Sequence, residues 1–193
     1  AGDKERIMRV FKELFSVRFL FTITICFSVY ELTQPFMKLW MGESLMLDDD
    51  CVILFVLFTF INLNRLTPDA FINAYGLFGD IWSPIVETLL NIGLSILFGC
   101  LWGLKGILMG VFVSLFIIVF CWKQYFLFYK GFKESILWYV KMYAVHFALA
   151  LVSYPIIEMC YKNSVGDSIN GALSWLLHAC AYTFIALLIL GVI

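Results

Sequence analysis

Four polar residues that could do chemistry lie on one face of an otherwise apolar segment, 61–76. They are Asn62, Arg65, Asp69 and Asn73. Because successive residues of a helix are about 100° apart, these four fall within an arc of roughly 80°. We call them the polar stripe. A guanidinium group in an apolar segment is costly unless it faces protein, water or an anionic ligand, so the stripe needs one of these partners.

The polar stripe supports two interpretations. In the first, it lines a water-filled cavity in which Arg65 binds phosphate or carboxylate oxygens through its planar, forked guanidinium group. In the second, Arg65 and Asp69 lie one turn apart and satisfy each other as an ion pair between packed helices. Pro68 cannot donate a hydrogen bond to the carbonyl of Asn64, so we also predict a bend in this helix. Such a bend suits a moving transporter, and a static kink is the alternative.

A second polar pair, Glu87 and Asn91, lies four residues apart on the next apolar stretch. If these side chains face the same cavity, Glu87 or Asp69 becomes a candidate proton or cation site. If Glu87 lies at the membrane interface, it is simply hydrated, and the sequence leaves both possibilities open. The predicted substrate cavity is therefore lined by Arg65, Asn62, Asp69, Asn73, Glu87 and Asn91.

The other residues that could do chemistry form no catalytic motif. The sequence contains no HxxxxD, GxSxG, HExxH or P-loop pattern, and its two histidines, His146 and His178, are isolated. We interpret His146 as a packed side chain and assign no role to His178. Lys141 is interpreted as a lysine that reaches the cytoplasmic interface. We expect no enzymatic activity and no cofactor.

The six cysteines give no indication of a metal or redox site. None of them forms a CxxC pair, and most lie in apolar runs, so they are predicted to be small core residues. A disulfide among Cys51, Cys100 and Cys160 is the minor alternative, because these three are predicted near the same membrane face.

The composition indicates an integral membrane protein. Hydrophobic residues make up 63% of the 193 residues and charged residues 14%, and the mean hydropathy is +0.95. A soluble domain of this size could not bury so much apolar surface. The net charge of −1 gives no indication of a nucleic-acid partner, and we expect none.

Six apolar stretches have about the 20 residues that a helix needs to cross a bilayer. They lie at 15–40, 51–74, 81–101, 107–128, 136–159 and 171–193. Short turns at 75–80 and 102–106 predict two helical hairpins, which join the second stretch to the third and the third to the fourth. The expected fold class is an all-α integral membrane protein with one six-helix transmembrane lobe over 15–193.

A lead-in helix is predicted ahead of these stretches. Residues 1–14 place basic side chains on one side and Ile7, Phe11 and Leu14 on the other. This pattern is typical of an amphipathic helix on a membrane surface, and a plain solvated linker is the alternative.

The basic residues predict the orientation. With the N-terminus in the cytoplasm, eight of them lie in cytoplasmic segments and three outside. The cytoplasmic eight are Lys4, Arg6, Arg9, Lys12, Arg18, Lys123, Lys130 and Lys133, and the outer three are Lys38, Lys105 and Lys162. Because cytoplasmic loops carry the excess of lysine and arginine, both ends of the chain are expected in the cytoplasm.

One long run resembles a known family. It extends from Arg65 to Gly110 and contains NAYGLF, then Trp82 and Pro84, then the spaced residues Glu87, Asn91 and Ser95, and then GLKGILMG. PFMKLWMGES precedes it and the basic aromatic stretch WKQYFLFYKGFK follows it. Together these features resemble the second half of bacterial polysaccharide flippases of the MATE-like (MOP) superfamily, which export O-antigen and capsule repeat units. The resemblance weakens after about residue 135.

The resemblance implies two six-helix lobes around a central cavity that opens alternately to each membrane face. The substrate would be an undecaprenyl-pyrophosphate-linked oligosaccharide, flipped across the bacterial inner membrane among the membrane lipids. This chain would be the C-terminal lobe, excised from a longer protein, and an N-terminal six-helix lobe would precede Ala1. In such a carrier Arg65 would line the cavity and attract the pyrophosphate or acidic sugars.

Three alternatives remain open. A multidrug or cation exporter of the same superfamily would rely on acidic residues such as Asp69 or Glu87. A membrane-embedded glycan polymerase or acyltransferase would need a large outer loop or a cluster of histidine, aspartate and arginine. A structural membrane subunit would use the polar stripe only to pack helices.

Overall fold

The computed structural model describes residues 2–165 and 171–192, and within these ranges the chain is almost entirely helical and contains no strand. Ala1, the first residue of the predicted lead-in helix, and Ile193, the last residue of the predicted sixth stretch, lie outside the described residues. The prediction of an all-α fold is confirmed.

The described residues form seven α-helices. They are α1 (Gly2–Met41), α2 (Asp49–Asn64), α3 (Leu66–Ala74), α4 (Trp82–Leu115), α5 (Lys123–Phe126), α6 (Ile136–Val165) and α7 (Ala172–Val192). Short 3₁₀ turns at Glu43–Leu45 and Phe78–Asp80 precede α2 and α4. The π-helical segments Phe116–Trp122 and Leu127–Phe132 extend α4 and α5, so the helical path continues from Trp82 to Phe132.

Within the described residues, four helical segments are long and apolar enough to cross a membrane. They are Asp49–Ala74, Phe78–Phe132, Ile136–Ser164 and Ala172–Val192. The predicted first stretch, 15–40, is helical but is not among these four, and the predicted stretches 81–101 and 107–128 fall within the single segment Phe78–Phe132. The protein is therefore a helical protein suited to a membrane, with four such segments where six stretches were predicted.

The segment Phe78–Phe132 turns back on itself within α4. Trp102 and Gly103 leave helical geometry, and Gly103 adopts the left-handed φ of 59° that glycine accommodates without strain. Beyond the turn, a Cβ atom on Gly106 would lie 1.9 Å from the carbonyl oxygen of Phe98, and one on Gly110 would lie 2.4 Å from the nitrogen of Ser95. Gly110 is farther from the turn than Gly106, and its contact, Ser95, is also farther from the turn than Phe98. The two arms are therefore antiparallel and form the hairpin predicted at 102–106.

Helix α1 has no boundary between the predicted lead-in helix (1–14) and the first stretch (15–40). Phe11, on the apolar side of the lead-in, and Phe15, the first residue of the following stretch, are 0% and 1% exposed. The ring of Phe11 lies 5.2 Å from that of Phe132 and 5.7 Å from that of Phe128, in edge-to-face arrangements that favour aromatic packing. This side of α1 therefore packs against protein, which leaves it unavailable for the predicted contact with a membrane surface.

The α-helical pattern is interrupted where Pro68 predicts it. Helix α2 ends at Asn64, α3 begins at Leu66, and Arg65 lies at the junction. Since Pro68 has no N–H to donate, the carbonyl of Asn64 lacks its usual partner one turn ahead. The junction places Asn62 on α2 and Asp69 on α3, so the polar stripe extends over two helices.

All six cysteines are free thiols, so the disulfide considered for Cys51, Cys100 and Cys160 does not form. Only Cys26 and Cys51 are buried, whereas Cys100, Cys121 and Cys180 are exposed. The prediction of small core residues therefore holds for two of them. The exposed cysteines lie on faces of helices that the chain itself does not cover.

Candidate functional site

Arg65 connects two helices through its guanidinium group. Its Nε donates to Oδ2 of Asp69 at 3.3 Å, and its Nη1 donates to Oε1 of Glu87 at 3.1 Å. Asp69 is on α3 and Glu87 is on α4, so Arg65 bridges both helices from the junction before α3. The pair Arg65–Asp69 that the sequence spacing suggests is formed, and Glu87 extends it.

Lys123 completes this arrangement from the start of α5. Its Nζ donates to Oδ1 of Asp69 at 2.8 Å, and the lysine side chain is only 8% exposed. Each carboxylate oxygen of Asp69 therefore accepts from a different cation. We call Arg65, Asp69, Glu87 and Lys123 the charge network, in which two cations face two carboxylates. This balance matters because an unpaired charge in so little water would cost several kcal/mol, of the order of 3–5.

One acceptor in the charge network is not used. The second carboxylate oxygen of Glu87, Oε2, is buried and has no hydrogen-bond partner among the described residues. Arg65 divides its fork between two different carboxylates, so it forms no bidentate pair with either. The network is therefore charge-balanced but not saturated with hydrogen bonds, and a group with more acceptor oxygens would satisfy Arg65 better.

The asparagines of the predicted cavity do not join the charge network through hydrogen bonds. The amide of Asn62 donates to the carbonyl of Phe58 within α2 at 3.1 Å. The carbonyl of Asn91 accepts from the hydroxyl of Ser95 at 3.4 Å. Asn73 is exposed near the end of α3. The structure therefore brings Arg65, Asp69 and Glu87 together, while the asparagines lie apart from them, Asn62 on α2, Asn73 on α3 and Asn91 on α4.

A cavity of about 260 Å³ opens beside the charge network, where α3 turns into α4. Its polar wall is formed by Asp69, Asn73, Asp80 and Lys123. Asp80 is buried, and its Oδ1 accepts a hydrogen bond of 2.8 Å from the indole nitrogen of Trp122. This volume falls below the roughly 300–1,000 Å³ of pockets for drug-sized ligands, so it suits one small polar group of a larger molecule.

Sequence reasoning missed Lys123, Asp80 and Trp122. Lys123 was counted as a cytoplasmic loop residue, whereas it is buried and paired with Asp69. The available indication was its position directly after a nearly unbroken apolar run, where a lysine needs a partner. Without Lys123, the count of basic residues is seven on the predicted cytoplasmic side against three outside.

Both histidines are packed against polar partners. His146 lies 2.9 Å from the hydroxyl of Ser16 through Nε2 and 2.8 Å from the carbonyl of Met142 through Nδ1, which confirms its interpretation as a packed side chain. His178, considered isolated, is buried and hydrogen-bonded to the hydroxyl of Tyr161. Lys141 is exposed. Among residues 2–165 and 171–192, no group of histidine, cysteine, aspartate or glutamate could hold a metal ion.

The site and the fold define a helical membrane-type protein with a charge network between its helices. The chain matches no protein-family model, and comparisons with curated proteins and with solved structures find no match. The charge network and its cavity are therefore the features of this chain that indicate a function.

Proposed function

We propose that this chain forms the C-terminal six-helix lobe of a MATE-like transporter that flips an undecaprenyl-pyrophosphate-linked oligosaccharide across the bacterial inner membrane. The observation that supports this proposal is the charge network, in which Lys123 and Asp69 line a cavity for a small polar group and Arg65 is paired with the same Asp69. Both ends of the chain lie in the cytoplasm, in keeping with the remaining basic residues, seven against three.

The pyrophosphate competes with the carboxylates of the protein for the two cations. A pyrophosphate offers Arg65 a bidentate partner, whereas Glu87 and Asp69 each offer it one oxygen. When the substrate takes Arg65, Glu87 is released, and the ion pair between the α2–α3 junction and α4 is lost. Substrate binding is thereby coupled to helix packing, which is the differential interaction that a change between two conformations requires.

The remainder of the substrate lies outside the cavity beside Lys123. A volume of about 260 Å³ accommodates a phosphate-sized group but not an oligosaccharide. The sugars occupy the central space between this lobe and the N-terminal lobe, and the polyprenyl chain stays in the bilayer. Alternating access then moves the headgroup without moving the lipid chain through protein.

The test replaces Arg65 in the full-length protein and measures glycan export at matched expression. Arg65→Ala and Arg65→Glu are expected to abolish export, and Arg65→Lys to retain part of it, because lysine keeps the charge but not the fork. The double variant Arg65→Ala/Glu87→Gln reduces the charge imbalance and separates loss of folding from loss of binding. Lys38→Ala, which removes an exposed cation, is the matched control. Normal export by both Arg65→Ala and Arg65→Glu would refute the proposal.

A second candidate function is export of small cations or drugs by the same superfamily. The observation that favours it is the unpartnered, buried Oε2 of Glu87, which is free to accept a proton or a cation. Under this function, Glu87→Gln abolishes cation-driven dye efflux in vesicles and leaves lipid-linked glycans at their normal level. Under the flippase function, Arg65→Ala causes lipid-linked glycans to accumulate, and dye efflux is absent from the start.

A further inference from the structure

A continuous groove follows the contact between α1 and α6. It consists of three adjoining cavities of about 640, 390 and 370 Å³. The first and second share the walls formed by Lys12 and Trp138, and the second and third share those formed by Ser16 and His146. We call this the α1–α6 groove. On α1 it extends from the level of Lys4 to that of Ile23, about 29 Å at the rise of a helix.

The first end of the groove is basic. Lys4 is neutralised by Glu134 at 2.7 Å. By contrast, no described ion pair involves Arg9, Lys12 or Lys141, which line the first two cavities. The Nζ of Lys12 lies 5.0 Å from the ring centroid of Trp138, a cation–π contact that holds it over the groove. Arg9 lines the first cavity, Lys141 the second and Lys12 both. Besides the paired Glu134, the one carboxylate in these walls is Glu5, so this end of the groove keeps a net positive charge.

The middle of the groove is polar. The carbonyl of Met142 can only accept, so the ring nitrogen Nδ1 of His146 carries the proton. Its Nε2 lies 2.9 Å from the hydroxyl of Ser16. This hydrogen-bonded pair separates the basic end from the rest of the groove.

The far end of the groove is apolar. Apart from Ser16 and His146, the walls of the third cavity are aliphatic and aromatic side chains and glycine. Val17 and Leu149 on its rim are 55% and 41% exposed. Leu149 lies two turns beyond Lys141 on α6, within the segment Ile136–Ser164 that is suited to a membrane. In a membrane, the apolar end of the groove would therefore lie deeper in the bilayer than the charged end.

We propose that the α1–α6 groove binds an anionic glycerophospholipid of the surrounding bilayer. The order of cations, polar Ser16–His146 pair and apolar cavity along the groove matches the order of phosphate, ester and acyl chain in such a lipid. Arg9, Lys12 and Lys141 hold the phosphate, and an acyl chain fills the third cavity. A soluble phosphate would bind only at the basic end. A zwitterionic lipid has no net charge, so it would not neutralise the positive charge of the three cations. The proposal requires only a membrane-embedded chain and does not rest on the transport of any substrate.

The test is native mass spectrometry of the detergent-purified protein with an equimolar mixture of dioleoyl phosphatidylglycerol and dioleoyl phosphatidylcholine. The protein is expected to retain phosphatidylglycerol at least about tenfold over phosphatidylcholine, since each cation near an anionic headgroup favours it several-fold. The triple variant Arg9→Gln/Lys12→Gln/Lys141→Gln is expected to lose this preference. The triple variant Lys38→Gln/Lys105→Gln/Lys162→Gln makes the same change in charge elsewhere and is expected to keep it.

Two further arms separate a lipid from a free anion. Leu149→Trp fills the third cavity and leaves the cations in place, so it is expected to lower phosphatidylglycerol retention several-fold. A hundredfold excess of sodium phosphate is expected not to displace the lipid. Displacement by phosphate, or full retention by Leu149→Trp, would show that only the basic end binds. If the unaltered protein retained phosphatidylglycerol and phosphatidylcholine equally, that result alone would overturn the proposal.

Discussion

The ammonium group of Lys123 lies 2.8 Å from the carboxylate of Asp69, although 54 residues of sequence separate them. Asp69 is also bound by Arg65 within its own helical region. One carboxylate thus ties the start of α5 to α3. Because Lys123 is buried, removing either partner would leave the other charge without compensation in a place that water does not reach. This penalty, more than the attraction between the two charges, keeps the pair together.

Breaking this pair on one side is expected to destabilise the protein strongly. Lys123→Met leaves Asp69 with one cation instead of two, and we expect a loss of about 3 kcal/mol, measured as a lower melting temperature in detergent. Lys130→Met, two turns further along, removes an exposed lysine by the same substitution and is expected to change the melting temperature little.

The double variant Asp69→Asn/Lys123→Met tests the electrostatic cause. It removes one charge of each sign, so most of the stability lost in Lys123→Met is expected to return. A double variant no more stable than Lys123→Met would show that packing of the lysine stem, and not its charge, holds the site.

The hairpin within α4 depends on two glycines that touch backbone. Gly106→Ala and Gly110→Ala each place a methyl group within 2.4 Å of backbone atoms on the opposite arm, so each is expected to cost about 3 kcal/mol or more. Gly93 meets nothing within 4 Å of its ideal Cβ position, and Gly93→Ala is expected to leave the melting temperature unchanged or raise it slightly. Equal effects at the three positions would contradict the antiparallel contact.

Access to the polar stripe from water is expected to differ between its ends. Asn73 is exposed and lines the cavity beside Lys123, whereas Asn62 is half-buried and bonded within α2. In a protein whose six native cysteines are replaced, Asn73→Cys is therefore expected to react with a water-soluble thiol reagent faster than Asn62→Cys. Resistance at both positions would favour the alternative in which the stripe only packs helices.

Acid is expected to loosen the start of α1. The hydrogen bond and positive charge of Lys4 lower the pKa of Glu134 from its ordinary value of 4.5. A carboxyl with a lowered pKa stabilises the folded state fully above its unfolded pKa, and this contribution is lost as the pH falls through the lowered value. Hydrogen-exchange protection in the first turns of α1 is therefore expected to fall below about pH 4.5, and Glu134→Gln is expected to remove this pH dependence. If Glu134→Gln lost hydrogen-exchange protection in acid to the same extent as the unaltered protein, another titrating group would be the cause.

Local features of the site were predictable from the sequence, because they depend on residues close in the chain. Pro68 marks the interruption at Arg65, and Gly103 with Gly106 marks the turn in α4. The four-residue spacing of Arg65 and Asp69 predicted their ion pair as one of two interpretations. Each of these inferences needed only helical geometry and the chemistry of a few neighbours.

Long-range partners were not predictable in the same way. Nothing in the sequence near Asp69 points to Lys123, and nothing near His178 points to Tyr161. The amphipathic pattern of 1–14 was also ambiguous, because an apolar stripe fits lipid and protein equally well. Only the packing of Phe11 against Phe128 and Phe132 decides for protein.

Helix α1 is helical throughout its 40 residues, a length of about 60 Å. Its partners include α2, α6 and α7, which lie along most of this length. Pro35 lies in the last two turns of α1, and the roughly 50 Å of helix before it contain no proline. A tilt of about 10° at one end of that part would displace its other end by roughly 9 Å. Interruptions of the neighbouring helices lie at Arg65 and at Trp102–Gly103. A movement that began at the charge network is therefore expected to bend the chain at these interruptions, while α1 up to Pro35 moves as one unit.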